Sequence, residues 1–290
     1  MKPPVFDYRA PVSVEETQQA LAEYQADGKL LAGGQSLVPM LNMRLARPAV
    51  LIDINRVTEL AFVRADDGGL TIGALTRQQA LLEHPTVQER WPLLAEATRH
   101  IGHRTIRNRG TVGGSLAHAD PAAELPAVML ALDAVVTVSS TRGERQIPAR
   151  DFVVDYLTTA LEPTELLRSV WVPALPPRTG WAFQEVSRRH GDFALVAVAA
   201  LVTLDAAGVC TDARLVLTGV GPTPVPVDLR QTLIGAAPSP AAVAAAAEAA
   251  QAAVDPPSDV HAPAEYRRHL ARVLARRALT TAIERAGGTE

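Results

Sequence analysis

Two short segments, each built around a pair of glycines, constrain this chain more than any other feature. The first is Ala32-Gly33-Gly34-Gln35-Ser36 and the second is Thr111-Val112-Gly113-Gly114-Ser115. Glycine lets the backbone approach a ligand closely and adopt left-handed conformations at no steric cost. Successive N–H groups in such a turn form a concave site for an anion. One turn of this kind says little. Two of them, about a domain's width apart in sequence, point to a single diphosphate gripped from two sides.

The residues around the first segment read as an α–β–loop–β unit. Ser13 with Glu16 forms a capping box, which opens a helix over Val14 to Ala26 that Gly28 ends. Lys29 to Ala32 reads as a short strand delivering the glycine pair, and Leu37 to Arg44 as a short helix or turn after it. The apolar run Ala49 to Ile54 is a second strand. A glycine turn at the C-terminal end of a strand is where α/β sheets commonly bind ligands. Beyond Leu60, Asp66-Asp67-Gly68-Gly69 between two apolar stretches has hairpin chemistry. Thr76 to Leu82, Leu93 to Ile101 and Ala122 to Leu132 read as helices, and Val135 to Val138 and Leu166 to Val172 as strands.

Pro173-Ala174-Leu175-Pro176-Pro177 is the strongest boundary in the sequence. It predicts two domains, 1–175 (subdomains about 1–57 and 58–175) and 178–290. The second holds a three-stranded meander (Trp181 to Ser187, Leu195 to Leu204, Ala213 to Gly219) and then helices over Ala241 to Val254 and Ala264 to Ala286. The last helix carries an apolar stripe of Tyr266, Leu270, Val273, Leu274 and Ile283. Its arginines, Arg267, Arg268, Arg272, Arg276 and Arg277, fall mostly off that stripe; they read as a solvated face, with contact to a partner protein as the alternative.

Composition excludes several function classes. A net charge of -3 over 290 residues gives no reason to expect nucleic acid binding. The longest apolar run, Phe193 to Leu204, falls well short of the roughly 20 residues of a transmembrane helix. The first residues lack the apolar core of a signal peptide, so the expected location is cytoplasmic. The one cysteine, Cys210, excludes an internal disulfide and any Cys-ligated cluster held by this chain alone. There is no G-x-G-x-x-G, no P-loop and no G-x-S-x-G elbow. The pair His100 and His103 lacks further metal-ligand spacing, so no metal ligands and no catalytic acid or base are expected.

The segment ahead of the second glycine pair is basic, with His100, His103, Arg104, Arg107 and Arg109. It suits phosphate binding, or it is simply a solvated helix face. After the pair, His118, Asp120 and Glu124 supply polar groups. A carboxylate there can accept hydrogen bonds from sugar or ribityl hydroxyls. Equally, Asp120-Pro121 can cap a helix, with Glu124 as its first-turn acid.

Ala-Gly-Gly-Gln-Ser followed by Leu-Val-Pro-Met-Leu, and Thr-Val-Gly-Gly-Ser-Leu-Ala-His-Ala-Asp-Pro-Ala-Ala-Glu-Leu-Pro, resemble the FAD-binding medium subunit of molybdenum hydroxylases, the xanthine dehydrogenase and aerobic carbon monoxide dehydrogenase family. The resemblance spans essentially the whole chain and extends to Asp259-Val260-His261-Ala262 and to Glu265 through Leu270. It implies an α+β protein: a two-part FAD-binding domain of the vanillyl-alcohol-oxidase (PCMH) type, then a C-terminal domain with a three-stranded antiparallel sheet and a helical bundle.

On residues, the resemblance implies that Ala32, Gly33, Gly34, Gln35, Ser36 and Leu37 wrap the pyrophosphate of FAD, while Thr111, Gly113, Gly114 and Ser115 approach it from the other side. His118 and Glu124 match contacts to the ribityl and phosphate region, and Leu167 an apolar contact to adenine or isoalloxazine. Arg189 and Phe193 lie in a loop matching one beside the flavin ring. Carbon monoxide dehydrogenases often have His where Gln35 stands and Tyr where Phe193 stands; these departures fit relatives acting on N-heteroaromatics, aldehydes or purines. The implied partners are a molybdenum–pterin large subunit and a small subunit with two 2Fe-2S clusters, as a dimer of heterotrimers. This chain would take electrons from the clusters and pass them to an external acceptor. The rivals are a stand-alone FAD-dependent oxidase and a non-redox module that binds a phosphorylated ligand.

Overall fold

The computed structural model describes residues 2–288, so the ends of the two expected domains, Met1 and Thr289–Glu290, lie outside the described residues. Three larger sheets organise the described residues, beside a two-stranded hairpin of Val153–Asp155 and Thr158–Thr159. The N-terminal one is parallel and three-stranded: Val50–Asp53 lies between Asp7–Arg9 and Gly28–Leu31. Its central strand is largely buried, with Ile52 wholly enclosed, as expected of an apolar run covered on both faces. The edge strand Asp7–Arg9 carries no apolar pattern and gave no signal in the sequence. The helix Val14–Tyr24 is capped by Ser13, whose Oγ accepts from the Glu16 amide at 3.1 Å, while Glu16 reaches back to the Val12 amide. It stops at Tyr24, earlier than Gly28, because Gln25 adopts a positive φ and Gln25–Asp27 tightens into a 3-10 turn.

An antiparallel five-stranded sheet follows, in the order Val63–Ala65, Gly69–Gly73, Leu166–Pro173, Val135–Ser140, Gly143–Pro148. Its first hairpin turns as the sequence requires, with Asp66 Oδ1 accepting the amides of Gly68 and Gly69. The helices Gln78–Glu83, Pro92–His100 and Glu124–Ala131 pack around a core that includes Leu70, Ile72, Val136, Val138 and Val170. The fully buried Trp91 donates its indole N–H to the Pro173 carbonyl at 2.8 Å, tying a helix junction to the end of the sheet.

The third sheet is antiparallel: Thr179–Ser187, Ala194–Leu204 and Cys210–Thr218, with a two-residue fourth strand, Val225–Pro226, beyond the expected three. Every residue of Ala194–Leu204 is buried. Ala197, Ala199 and Leu201 on one face join the core of the first part of the chain, whereas Val196, Val198, Ala200 and Val202 pack under the helices Pro240–Ala252 and Ala264–Gly287. The expected bundle is thus a helix pair on one face of a sheet whose other face seals against the preceding domain.

The long helix buries a row dominated by alanine: Ala271, Ala275, Ala278 and Ala282, with Leu270, Leu274 and Leu279. Tyr266, expected on the stripe, is exposed. Arg267, expected among the solvated arginines, is buried; it donates to the carbonyls of Leu195 and Gly219 and pairs with Asp259 at 2.7 Å. Arg272, Arg276 and Arg277 are exposed along an open groove between the two C-terminal helices. Cys210 lies buried in its strand, and burial pushes its thiol pKa up, which disfavours thiolate chemistry. No helix among the described residues is long and apolar enough to cross a membrane.

Candidate functional site

The two glycine segments meet in space. A Cβ placed on Gly33 would lie 2.4 Å from the Arg109 carbonyl oxygen and 2.9 Å from Gly110 Cα, so only glycine permits the first segment to rest on the second. A Cβ on Gly114 would lie 3.8 Å from Ala32 Cβ. Gly34 has φ +73, the left-handed conformation that reverses the chain into the helix Leu37–Asn42. Gln35 folds over this turn, its side-chain amide donating to the Gly33 carbonyl at 3.0 Å.

The amides of the two segments differ in kind. Among the described residues, the N–H groups of Gly33, Gly34, Gln35, Ser36 and Leu37 donate to no protein acceptor. Five consecutive amides without partners, at a turn leading into a helix, form a cradle for an anion. In the second segment the amides are already used. Val112 donates to Thr76, Gly113 to Ala74, Gly114 to Thr111 Oγ1 and Ser115 to the Thr111 carbonyl. The reason is that Val112–His118 is a helix with Thr111 as its N-cap, not the open turn read from the sequence. This segment supplies shape and the Ser115 side chain, and the first supplies the anion donors.

A pair of side chains joins the segments. Asn55 Nδ2 donates to the Ala32 carbonyl at 2.7 Å, Arg77 donates to Asn55 Oδ1 at 2.7 Å, and another Arg77 nitrogen donates to the Arg109 carbonyl. Asp53 anchors Asn55 and accepts from Tyr8 at 2.7 Å. Burial pushes the Asp53 carboxyl up, but the bonds from Asn55 and Tyr8 and the charge of Arg109 outweigh this and hold it below its ordinary value. Neither Asn55 nor Arg77 belongs to a motif; they stand two residues past a strand and one residue before a helix, and only tertiary structure brings them together.

The basic segment divides. Arg109 is exposed beside the cradle, where its charge acts on Asp53 and Arg77. Arg107 is buried and donates to Gln79 and to the carbonyls of Arg99, Ile101 and Gly102, so it braces the loop and offers nothing to a phosphate. Arg104 pairs with Glu83 at the surface. His100 meets the Phe183 ring at a tilt of 53° with ring centres 5.3 Å apart, and burial lowers its pKa. His103 lies 5.6 Å from His190. Among the described residues no group of three or more His, Cys, Asp or Glu side chains is arranged to hold a metal ion.

Beyond the second segment, His118 is half-buried with Nε2 4.0 Å from Asp120; burial lowers its pKa against the pull of Asp120, favouring the neutral imidazole. Asp120 does not cap the next helix. It closes a turn, accepting the Ala122 amide, and the helix begins at Glu124. Glu124 is only 6% exposed, and burial pushes its carboxyl up to about 7. Leu167 is buried in the core of the five-stranded sheet beside a register shift. Arg189 and Phe193 are exposed on the loop joining two strands of the third sheet, Phe193 to 62%.

Residues 4–175 match the family model described as the FAD binding domain in molybdopterin dehydrogenase, and residues 181–282 match the CO dehydrogenase flavoprotein C-terminal domain. The chain belongs to this family. The flavoprotein is 48% identical to 6-hydroxypseudooxynicotine dehydrogenase complex subunit alpha of Paenarthrobacter nicotinovorans, over 100% of this chain and 98% of that one. In structure it resembles carbon monoxide dehydrogenase of Hydrogenophaga pseudoflava, with a TM-score of 0.95, 40% identity and coverage of 98% and 99% of the two chains. Quinoline 2-oxidoreductase of Pseudomonas putida 86 is similar at a TM-score of 0.93 and 38% identity, covering 100% and 99%. The chain is therefore an oxidoreductase subunit, the FAD subunit of a molybdenum hydroxylase of the carbon monoxide dehydrogenase type. The free amides of Gly33 to Leu37, beside the cation Arg109, fit the diphosphate of that cofactor.

Proposed function

We propose that this chain holds FAD with its diphosphate on the amides of Gly33 to Leu37, and that the fold is of the vanillyl-alcohol-oxidase type with domains at 1–175 and 178–290. The observation that carries the reading is the contact between the glycine segments: one face is rich in unpaired donors, and the other is rigid and fully bonded. In this reading Ala32, Gln35 and Ser36 line the turn, while Thr111, Gly113, Gly114 and Ser115 close it from the opposite side. His118 and Glu124 face the ribityl and phosphate region. Leu167 gives an apolar backing, and the loop with Arg189 and Phe193 lies near the flavin ring.

The bound flavin would supply redox chemistry, accepting electrons from 2Fe-2S clusters of a small partner subunit and passing them to an external acceptor. The protein's own work is to bind and orient it. Substrate would react at a molybdenum–pterin centre in a large subunit, the three chains forming a dimer of heterotrimers. Higher identity to a 6-hydroxypseudooxynicotine dehydrogenase subunit than to the carbon monoxide dehydrogenase supports an organic substrate over carbon monoxide. The test is co-expression with the neighbouring genes. One FAD per chain, with molybdenum and iron on co-purifying subunits, is expected. A yellow chain that oxidises a small molecule without partners would instead favour an oxidase.

A further inference from the structure

The loop 188–193 joins the strands Thr179–Ser187 and Ala194–Leu204, and Arg188, Arg189, His190, Asp192 and Phe193 are all exposed on it. Gly191 is its one partly covered residue, and His103 lies against it. A Cβ on Gly191 would lie 2.7 Å from Cε1, 2.9 Å from Nδ1 and 3.0 Å from Nε2 of that imidazole. Gly191 also has φ +85, so backbone conformation and close approach both call for glycine here. The neighbouring His190 ring has its centre 5.6 Å from that of His103, at a tilt of 55°. Within the loop, the Asp192 amide and the Ser187 hydroxyl donate to the Arg189 carbonyl at 3.1 and 2.9 Å, which folds it into a turn. Arg188 meets His261 Nδ1 at 3.1 Å.

The His103 side chain does nothing for its own helix. It stands at the N-cap of Arg104–Arg107, where a Ser, Thr, Asp or Asn would bond a free amide, yet its ring makes no capping hydrogen bond. Its backbone is firmly held. The His103 carbonyl accepts the amides of Ile106 and Arg107 at 2.9 and 3.0 Å. The buried Arg107 then braces the same turn through Gln79 and the carbonyls of Arg99, Ile101 and Gly102. Just past the other end of this helix, Arg109 and Gly110 form the surface on which Gly33 rests. One short, braced helix therefore carries a glycine contact at each end: Gly191 of the loop at its start, and Gly33 of the amide cradle just beyond its finish.

We propose that His103 is a positioning residue: its imidazole seats the loop 188–193 and so fixes where Arg189 and Phe193 stand near the flavin ring while the cradle holds the diphosphate. This rests on the FAD reading above. The Arg189 side chain has no hydrogen bond or ion pair of its own among the described residues, and Phe193 is 62% exposed, so the loop backbone sets their places. A flat ring supports Gly191 by contact alone, and a methyl in its place leaves a gap that forfeits that contact. The role asks for a planar ring at position 103 and not for a titrating one.

The experiment measures quenching of flavin fluorescence by acrylamide in the full FAD-loaded chain. His103→Ala should raise the quenching constant at least about twofold as the loop loosens, with FAD still bound. His103→Phe should restore the wild-type value, and Arg104→Ala, one residue on, should leave it unchanged. Gly191→Ala should act like His103→Ala, and the double variant should add little, because both break one contact. An unchanged constant in His103→Ala, or no restoration by His103→Phe, overturns the seat. Proton NMR of the FAD-free chain tests the contact without the cofactor. The Gly191 α-protons should be shifted by the His103 ring current and return to ordinary values in His103→Ala. That shift in a chain that takes up no FAD supports the seat and defeats the FAD reading alone; its absence in the wild-type chain overturns the seat.

Discussion

Gly33→Ala is the sharpest perturbation the site offers. The added methyl would sit 2.4 Å from the Arg109 carbonyl oxygen, with Arg109 carbonyl carbon at 3.0 Å and Gly110 Cα at 2.9 Å. Comfortable contacts begin near 3.5 Å, so the two segments must part by about 1 Å. The obstacles are backbone atoms, which cannot swing aside as a side-chain tip would. Overpacking of this kind costs about 1–3 kcal/mol. If it is relieved by opening the cleft, FAD affinity falls about 5- to 150-fold. The assay is titration of the FAD-free chain by flavin fluorescence, with thermal melting alongside. Gly143→Ala is the matched control: φ is +125 and nothing lies within 4 Å of the new methyl, so it should lower the melting temperature and leave FAD affinity alone. A folded Gly33→Ala chain with wild-type affinity would refute the idea that contact between the segments shapes the site.

Other expectations follow from the same geometry. Gly114→Val should also reduce FAD retention, since its Cβ would lie 2.6 Å from the capping Thr111 hydroxyl; equilibrium dialysis reads this. Arg77→Ala cuts the bridge from Asn55 to Arg109 and should weaken FAD binding about tenfold, while Arg104→Ala, at the surface, should not. Arg267→Met leaves the carbonyls of Leu195 and Gly219 without their donor, while Asp259 keeps the amides of His261 and Ala262, and should cost about 1–3 kcal/mol in urea unfolding. Glu124 is raised from 4.5 to about 7, so its folded form holds a proton the unfolded chain has released; stability present at low pH is lost as pH rises between those values. Glu124→Gln should therefore match wild type near pH 4.5 and exceed it by up to about 3 kcal/mol above pH 7.

The legible part of this protein was what local chemistry dictates. The Ser13 cap, the Asp66 turn, the apolar strand at Val50–Asp53 and both glycine pairs are visible because each needs only its neighbours in sequence. What escaped was decided by distant residues. Asn55 and Arg77 have no pattern; they matter because two loops converge on them. Arg267 looked solvated because helical periodicity shows which face it leaves but not the carbonyls of Leu195 and Gly219 that draw it inward. The second glycine pair looked like an open anion site, yet Ala74, far back in sequence, and the capping Thr111 hydroxyl take its amide protons.

Hydrogen exchange at the two glycine segments, with and without FAD, tests the central claim most directly. The amides of Gly33 to Leu37 have no protein acceptor, so they should exchange fast in the free chain and slow by at least tenfold when FAD binds. The amides of Val112 to Ser115 are bonded already and should change far less. Stoichiometric FAD with unaltered exchange over Gly33 to Leu37 would contradict the account.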